Sequence, residues 1–173
     1  MKRNHDKMKN NIIIVTFVLA AMCFSSCGSQ KAIAVPTAQI DECAVLGFQY
    51  GINVTAEEAK DIADIFLVNF HPSKYKVTES GRINNELEKF GYKKSKITKQ
   101  QACEVGRRLG VKYVVLGSIN KLMDEYSVDI QVIDSVRETT LAFEGKAFPK
   151  SEYSREMDVM ARTIAAKIER LSQ

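Results

Sequence analysis

From residue 43 onward, the apolar positions recur with two periods, and the switches between them mark the elements. "CAVLGF" at 43–48 is a short apolar run that "GINV" interrupts, so it predicts a buried strand. In "TAEEAKDIADIFLVNF", Ala59, Ile62, Ala63, Phe66 and Phe70 fall at helical spacing and would share one face. Thr55 and Glu58 form a T-x-x-E capping box at its start, each satisfying an unpaired backbone N–H of the first turn, and Pro72 closes the segment. "KYKVTES" at 74–80 alternates through Tyr75 and Val77 and predicts a second strand. "RINNELEKF" then places Ile83, Leu87 and Phe90 on one helical face and stops at Gly91. "ITKQQACEVGRRLG" has a second capping box, Thr98 with Gln101, then an Ala102, Val105 and Leu109 stripe, with Gly110 as the C-terminal stop.

The rest of the chain predicts three strands and a helix. "VKYVVLGSINKL" is rich in β-branched residues and predicts a buried strand. "YSVDIQVID" alternates strictly, with Val128, Ile130 and Val132 inward and Asp129 and Gln131 outward. "SVRE" turns the chain, and "TTLAFEGKAF" returns with Leu141 and Phe143 on one face. A long helix over "SEYSREMDVMARTIAAKIERL" lines up Tyr153, Met157, Met160, Ala161, Ile164 and Ile168. The order is β-α-β-α-α-β-β-β-α. Helical connections imply crossovers and the last three strands an antiparallel meander. The fold class is therefore α/β (α+β), a mixed β-sheet packed by helices.

The first residues follow another pattern. Lys2, Arg3, Lys7 and Lys9 precede an apolar run from Ile12 to Phe24. The run is shorter than the roughly 17–25 residues of a spanning helix. Basic residues, a short apolar core and small residues describe a secretory signal. "FSSC", ending at Cys27, resembles the lipobox of bacterial lipoproteins, in which cleavage precedes a cysteine that then carries lipid. That resemblance implies a signal peptide at 1–26, a lipidated Cys27 with a tether over 27–42, and a domain from 43 to 173; Cys23 would leave with the signal. The segment also reads as a plain signal cut near Ser26, or as an uncleaved anchor. Gly28 follows Cys27 where Asp would imply inner-membrane retention, so the resemblance implies an outer-membrane, periplasm-facing location.

Removing the signal takes away most of the net charge of +4. The near-neutral remainder argues against nucleic acid, which needs a clustered basic surface. "YKKSK" at 92–96 is the densest basic patch, a solvated loop or a place for an acidic partner. Cys43 and Cys103 are the remaining cysteines. A disulfide between them and two separate thiols are both open.

Catalytic patterns are missing. His71, beside Pro72, is the single histidine after the signal and reads as a surface or capping residue. The sequence holds no C-x-x-C, H-E-x-x-H, G-x-G-x-x-G or P-loop pattern, so neither a metal nor a nucleotide cofactor is expected. Cys103 has no base in any recognisable relation to it. Glu57, Glu58, Asp61 and Asp64 read as the wet face of the first helix. Asn53-Val54-Thr55 fits an N-glycosylation triplet whose Thr55 already serves as a cap. Asp134-Ser135-Val136 resembles an O-glycosylation triplet of some Bacteroidota. No enzymatic activity and no small-molecule substrate are expected.

Residues 43–148 resemble the CsgG family of curli assembly and transport components, a likeness extending to the N-terminal domain of TolB and the penicillin-binding-protein activator LpoB. "AVLGF", the helix "TAEEAKDIADIFLVNF", "YKVTES" before Arg82, and above all "ACEVGRRLGVKYVVLGSINKL" carry it. The resemblance implies a mixed sheet under helices and action by protein contact. Pore-forming members add transmembrane β-hairpins, and the only stretches here that could supply them, 127–134 and 139–148, are needed for the sheet. The expected function is a CsgG-like assembly or secretion accessory that self-associates, with an LpoB-like activator of a cell-wall synthase as the alternative. Contact is expected on the loops 91–97, through Lys93, Lys94 and Lys96, and 134–138, since binding residues concentrate on loops held by a scaffold.

Overall fold

The computed structural model describes residues 39–51 and 53–171; the expected signal peptide at 1–26, the expected lipidated Cys27 and the expected tether as far as residue 38 lie outside them. Strand β1 (Gln39–Tyr50) is followed by helix α1 (Ala56–Asn69), β2 (Lys76–Val77) and α2 (Ser80–Lys89). A 3₁₀ turn at Lys94–Lys96 leads to α3 (Lys99–Leu109), then β3 (Val111–Leu122), β4 (Glu125–Asp134), β5 (Thr139–Pro149) and α4 (Tyr153–Arg170). The strand order is β2-β1-β3-β4-β5, with β1 parallel to β2 and β3, and β4 antiparallel to both its neighbours. The fold class and the element order are those expected from the sequence.

Helix packing explains the sheet's two patterns. On one face, Val45 and Phe48 of β1, Val115 and Ile119 of β3, and Val128 and Ile130 of β4 meet Ile62 and Phe66 of α1 and Met157, Met160 and Ile164 of α4. On the other, Ala44, Leu46, Val114 and Leu116 meet Ile83 and Leu87 of α2 and Ala102, Val105 and Leu109 of α3. Strands β1 and β3 are thus buried on both sides and read as apolar runs, whereas β4 alternates. Both capping boxes are present, and Gly110 takes the left-handed conformation (φ 74°) that a side chain would resist.

Several expectations change. β1 starts at Gln39, so its first four residues come from the stretch assigned to the tether. The second strand shrinks from 74–80 to Lys76–Val77. Leu141 and Phe143 do not share a face. A bulge on β5, opposite Val132 and Ile133 of β4, leaves Leu141 unpaired in the ladder and packs its side chain on the α1/α4 face beside Ala142, while Phe143 points to the opposite face and is 52% exposed.

The cysteines resolve as two buried free thiols. Cys43 belongs to the core under α1 and α4, and Cys103 to the core under α2 and α3. The sheet stands between them, which rules out the Cys43–Cys103 bridge. Burial, with Glu42 adding to it, pushes the Cys43 thiol up to about 12; burial also raises Cys103.

Candidate contact surface

Helices α2 and α3 cover the β1/β3 side of their sheet face and leave the rest open. The pairing lines buried Leu116 up with Gln131 and Phe143 in one row at its border, Ser118, Asp129 and Gly145 in the next, and Asn120, Ser127 and Ala147 in a third. Gln49, Leu116, Gly117, Ser118, Asp129 and Gln131 line a shallow cavity of about 130 Å³ on it. Beyond the third row, the β3–β4 turn exposes Leu122 (74%) and Met123 (86%), and Met123 takes a positive φ of 56°.

The 91–97 loop borders this open face. Gln49 Nε2 donates to the Ile97 carbonyl, Ile97 is fully buried, and the Lys94 stem lies over Gly47. That packing costs the Lys94 ammonium part of its hydration and lowers its pKa, while Asp64 opposes the shift. Tyr92 closes the loop from behind, its hydroxyl donating to Glu104 at 2.8 Å. All three expected contact lysines are exposed, and Lys94 also packs its stem over Gly47.

The 134–138 loop lies at the other end of the sheet, beside Val111, so the two expected contact loops do not form one surface. It is rigidly held. Asp134 Oδ1 accepts from the amides of Val136 and Arg137, both at 2.9 Å. Arg107 donates to the Ser135 carbonyl at 3.0 Å and to Glu138 at 2.7 Å. Ser135 is fully buried and its hydroxyl donates to the Val111 carbonyl at 2.5 Å, so the glycosylation reading of this triplet fails for lack of an accessible hydroxyl.

Sequence reasoning missed the role of Glu58. Beyond capping α1, its carboxylate accepts from Tyr126 Oη at 2.8 Å, Lys121 Nζ at 3.0 Å and Lys150 Nζ at 3.4 Å. The Thr55 amide, then Tyr126 and Lys121, hold its carboxyl well below the usual range. Burial, and then the bond to Glu58, pushes the Tyr126 phenol up to about 12. No local signal could reveal this cluster, because its members come from α1, β3, β4 and the turn after β5.

Arg82, singled out in the sequence, ties three segments together. It donates to Glu42 of β1 at 2.9 Å and to the Leu109 carbonyl at the end of α3 at 3.2 Å. His71 is exposed and edges a groove of about 430 Å³ between α1 and α4, with Arg162 and Glu169. Those charges are engaged: Arg162 pairs with Asp158 through two bonds of 2.8 Å, and Glu169 accepts from Ser73 Oγ at 2.7 Å. Among the described residues, no cluster of three histidine, cysteine or carboxylate side chains could hold a metal, and no helix is long and apolar enough to cross a membrane.

A mixed sheet with helices on both faces and polar clusters that lock its elements together defines an α+β scaffold domain. No protein-family model matches the sequence, and no curated protein matches it. Solved structures do. TolB from Acinetobacter baumannii is 17% identical, with a TM-score of 0.50 over 78% of this chain and 30% of its own. The LpoB C-terminal domain from Salmonella enterica is 14% identical, with a TM-score of 0.48 over 65% of this chain and 85% of its own. The PelC dodecamer from Paraburkholderia phytofirmans is 13% identical, with a TM-score of 0.45 over 78% and 91%. The TolB likeness shows the fold, and the fold alone. None of these comparisons shows membership of the CsgG family.

Proposed function

We propose that this chain is a non-enzymatic lipoprotein, anchored through Cys27 to the outer membrane and facing the periplasm, that acts by contact with a cell-wall synthase. One observation carries the reading. Both stretches that could have served as membrane hairpins are spent in the sheet: β4 is buried on its α1/α4 face, and β5 holds α4 through the Glu144–Lys167 and Lys146–Glu156 ion pairs. A curli-type export pore therefore has no strands left in the described domain. This favours the activator side of the resemblance over the secretion-accessory side.

An anchor at Cys27 would enter the domain at Gln39, which pairs with Val111. The Leu122–Met123 turn lies at the opposite end of β3 from Val111. The open sheet face and the 91–97 loop sit in that half of the domain and would meet the partner.

Crosslinked affinity purification of the full lipoprotein from its native envelope, read by mass spectrometry, tests the proposal. A recovered cell-wall synthase whose glycan polymerisation rises on adding the lipoprotein supports it. Recovery of outer-membrane export components and no synthase overturns it in favour of the assembly accessory.

A further inference from the structure

Among the described residues no strand lies beyond β5, so this strand of 11 residues is an edge of the sheet. Its outward groups can be identified. Leu122 and Glu125 flank a two-residue turn and form the hydrogen-bonded pair that starts the β3–β4 hairpin. Alternation from there directs the backbone of Val128 and Ile130 toward β5, where they face Lys146 and Glu144. Phe143, Gly145 and Ala147 are left with amide and carbonyl pointing outward. Lys167 Nζ confirms the direction by reaching round from α4 to the Phe143 carbonyl at 2.6 Å.

We propose that this edge docks a second copy of the same chain, the two β5 strands pairing antiparallel about a two-fold axis at Gly145. Three features make the edge complementary to itself. In this register Gly145 faces Gly145 of the second copy and Phe143 faces Ala147, so outward groups meet outward groups and exchange amide–carbonyl bonds. Glu144 then faces Lys146 of the second copy on the α4 side. Each of these already holds an opposite charge on its own α4, Lys167 at 2.6 Å and Glu156 respectively, so pairing closes an alternating row of charges across the axis. On the other side Phe143 lies over Gly145, whose added Cβ would come within 2.9 Å of its ring. The exposed ring is placed to cover the second copy's Ala147. Such an isologous arrangement is the usual form of a homodimer. Lys167 would give up the Phe143 carbonyl to the incoming amide while keeping Glu144. The inference does not depend on the partner proposed above and fails separately from it.

Register-specific crosslinking tests it in the full-length chain in its membrane. Glu144→Cys and Lys146→Cys chains are expressed separately and together, then mildly oxidised. Residues 144 and 146 oppose one another across the axis, whereas 144 with 144 and 146 with 146 are offset by two positions, beyond disulfide reach. The expected result is a disulfide dimer containing one chain of each kind, with the peptides joined at 144 and 146, at least tenfold above either variant alone. Ala147→Pro in both chains should abolish it. That substitution removes an outward amide, which an edge strand tolerates, and thermal unfolding checks that the fold is kept. A mixed dimer no more abundant than the single-variant background overturns the proposal. So does a crosslink that survives Ala147→Pro in a folded chain. Should that variant not fold, the mixed crosslink decides alone.

Discussion

The Tyr126 hydroxyl donates to Glu58 Oε1 at 2.8 Å, joining residues 68 positions apart. Glu58 also caps α1 and Tyr126 sits under α4, so one carboxylate fixes the start of the first helix to the β3–β4 hairpin. Lys121 completes the arrangement, its ammonium 5.5 Å from the Tyr126 ring centre and 3.0 Å from the carboxylate.

Because its folded pKa is depressed, Glu58 contributes stability above its ordinary value near 4.5, and that contribution is lost as pH falls from there through the folded value. Glu58→Gln should cost about 1–2 kcal/mol at pH 7, allowing for solvent screening of a side chain that is 22% exposed. The gap should narrow steadily below about pH 4.5. Urea unfolding of both proteins across pH 7 to 3 measures it, and a gap independent of pH would show that the carboxylate's charge is not what matters.

Two glycines should respond oppositely to alanine. A Cβ on Gly106 would sit 2.5 Å from Val114 Cγ2 and 2.7 Å from Ser135 Cβ, where α3 crosses β3, whereas one on Gly81 would meet nothing within 4 Å. Gly106→Ala should destabilise by about 1–3 kcal/mol despite its better helix propensity. Gly81→Ala, inside α2, should be neutral or stabilising by up to about 1 kcal/mol. Thermal unfolding of the pair gives the comparison.

Cys43 and Cys103 should resist alkylation at pH 8 in the native protein and react at once in denaturant, since burial raises both thiols. Peptide mapping under non-reducing conditions should find no Cys43–Cys103 linkage. A linked peptide from natively folded protein would contradict their placement on opposite faces.

Lys93→Glu with Lys96→Glu should leave stability within about 0.5 kcal/mol, as expected of exposed positions without buried contacts. If the 91–97 loop touches the partner, the pair should lower partner recovery in the crosslinked purification severalfold. Unchanged recovery removes the loop from the interface. Lys94→Ala should lower thermal stability measurably because its stem covers Gly47.

Features set by neighbours in sequence could be read in advance. Both capping boxes, the Gly110 stop and the alternation of Val128, Ile130 and Val132 depend on contacts within a turn or a strand, and all stand in the structure. What could not be read depends on partners remote in the chain. Lys74–Ser80 alternates like a full strand, yet only Lys76 and Val77 find β1 to pair with. Leu141 and Phe143 part company because of a bulge on β5, opposite Val132 and Ile133 of β4, and Glu58 looks like its solvated neighbours until β3, β4 and the turn after β5 close over it. Lysines mark the 91–97 loop in the sequence, but the side chains that hold it, Gln49 and Tyr92, belong to no recognisable motif.

The brevity of β2 bears on growth. A sheet with two long, accessible margins can add copies at both ends and run on into a fibre. Here β2 offers only two residues of ladder, and beyond it the 91–97 loop packs along β1 through Lys94 over Gly47 and Gln49 on the Ile97 carbonyl. Extension through β5 would consume the one long open margin among the described residues, so stacking of this kind is self-terminating.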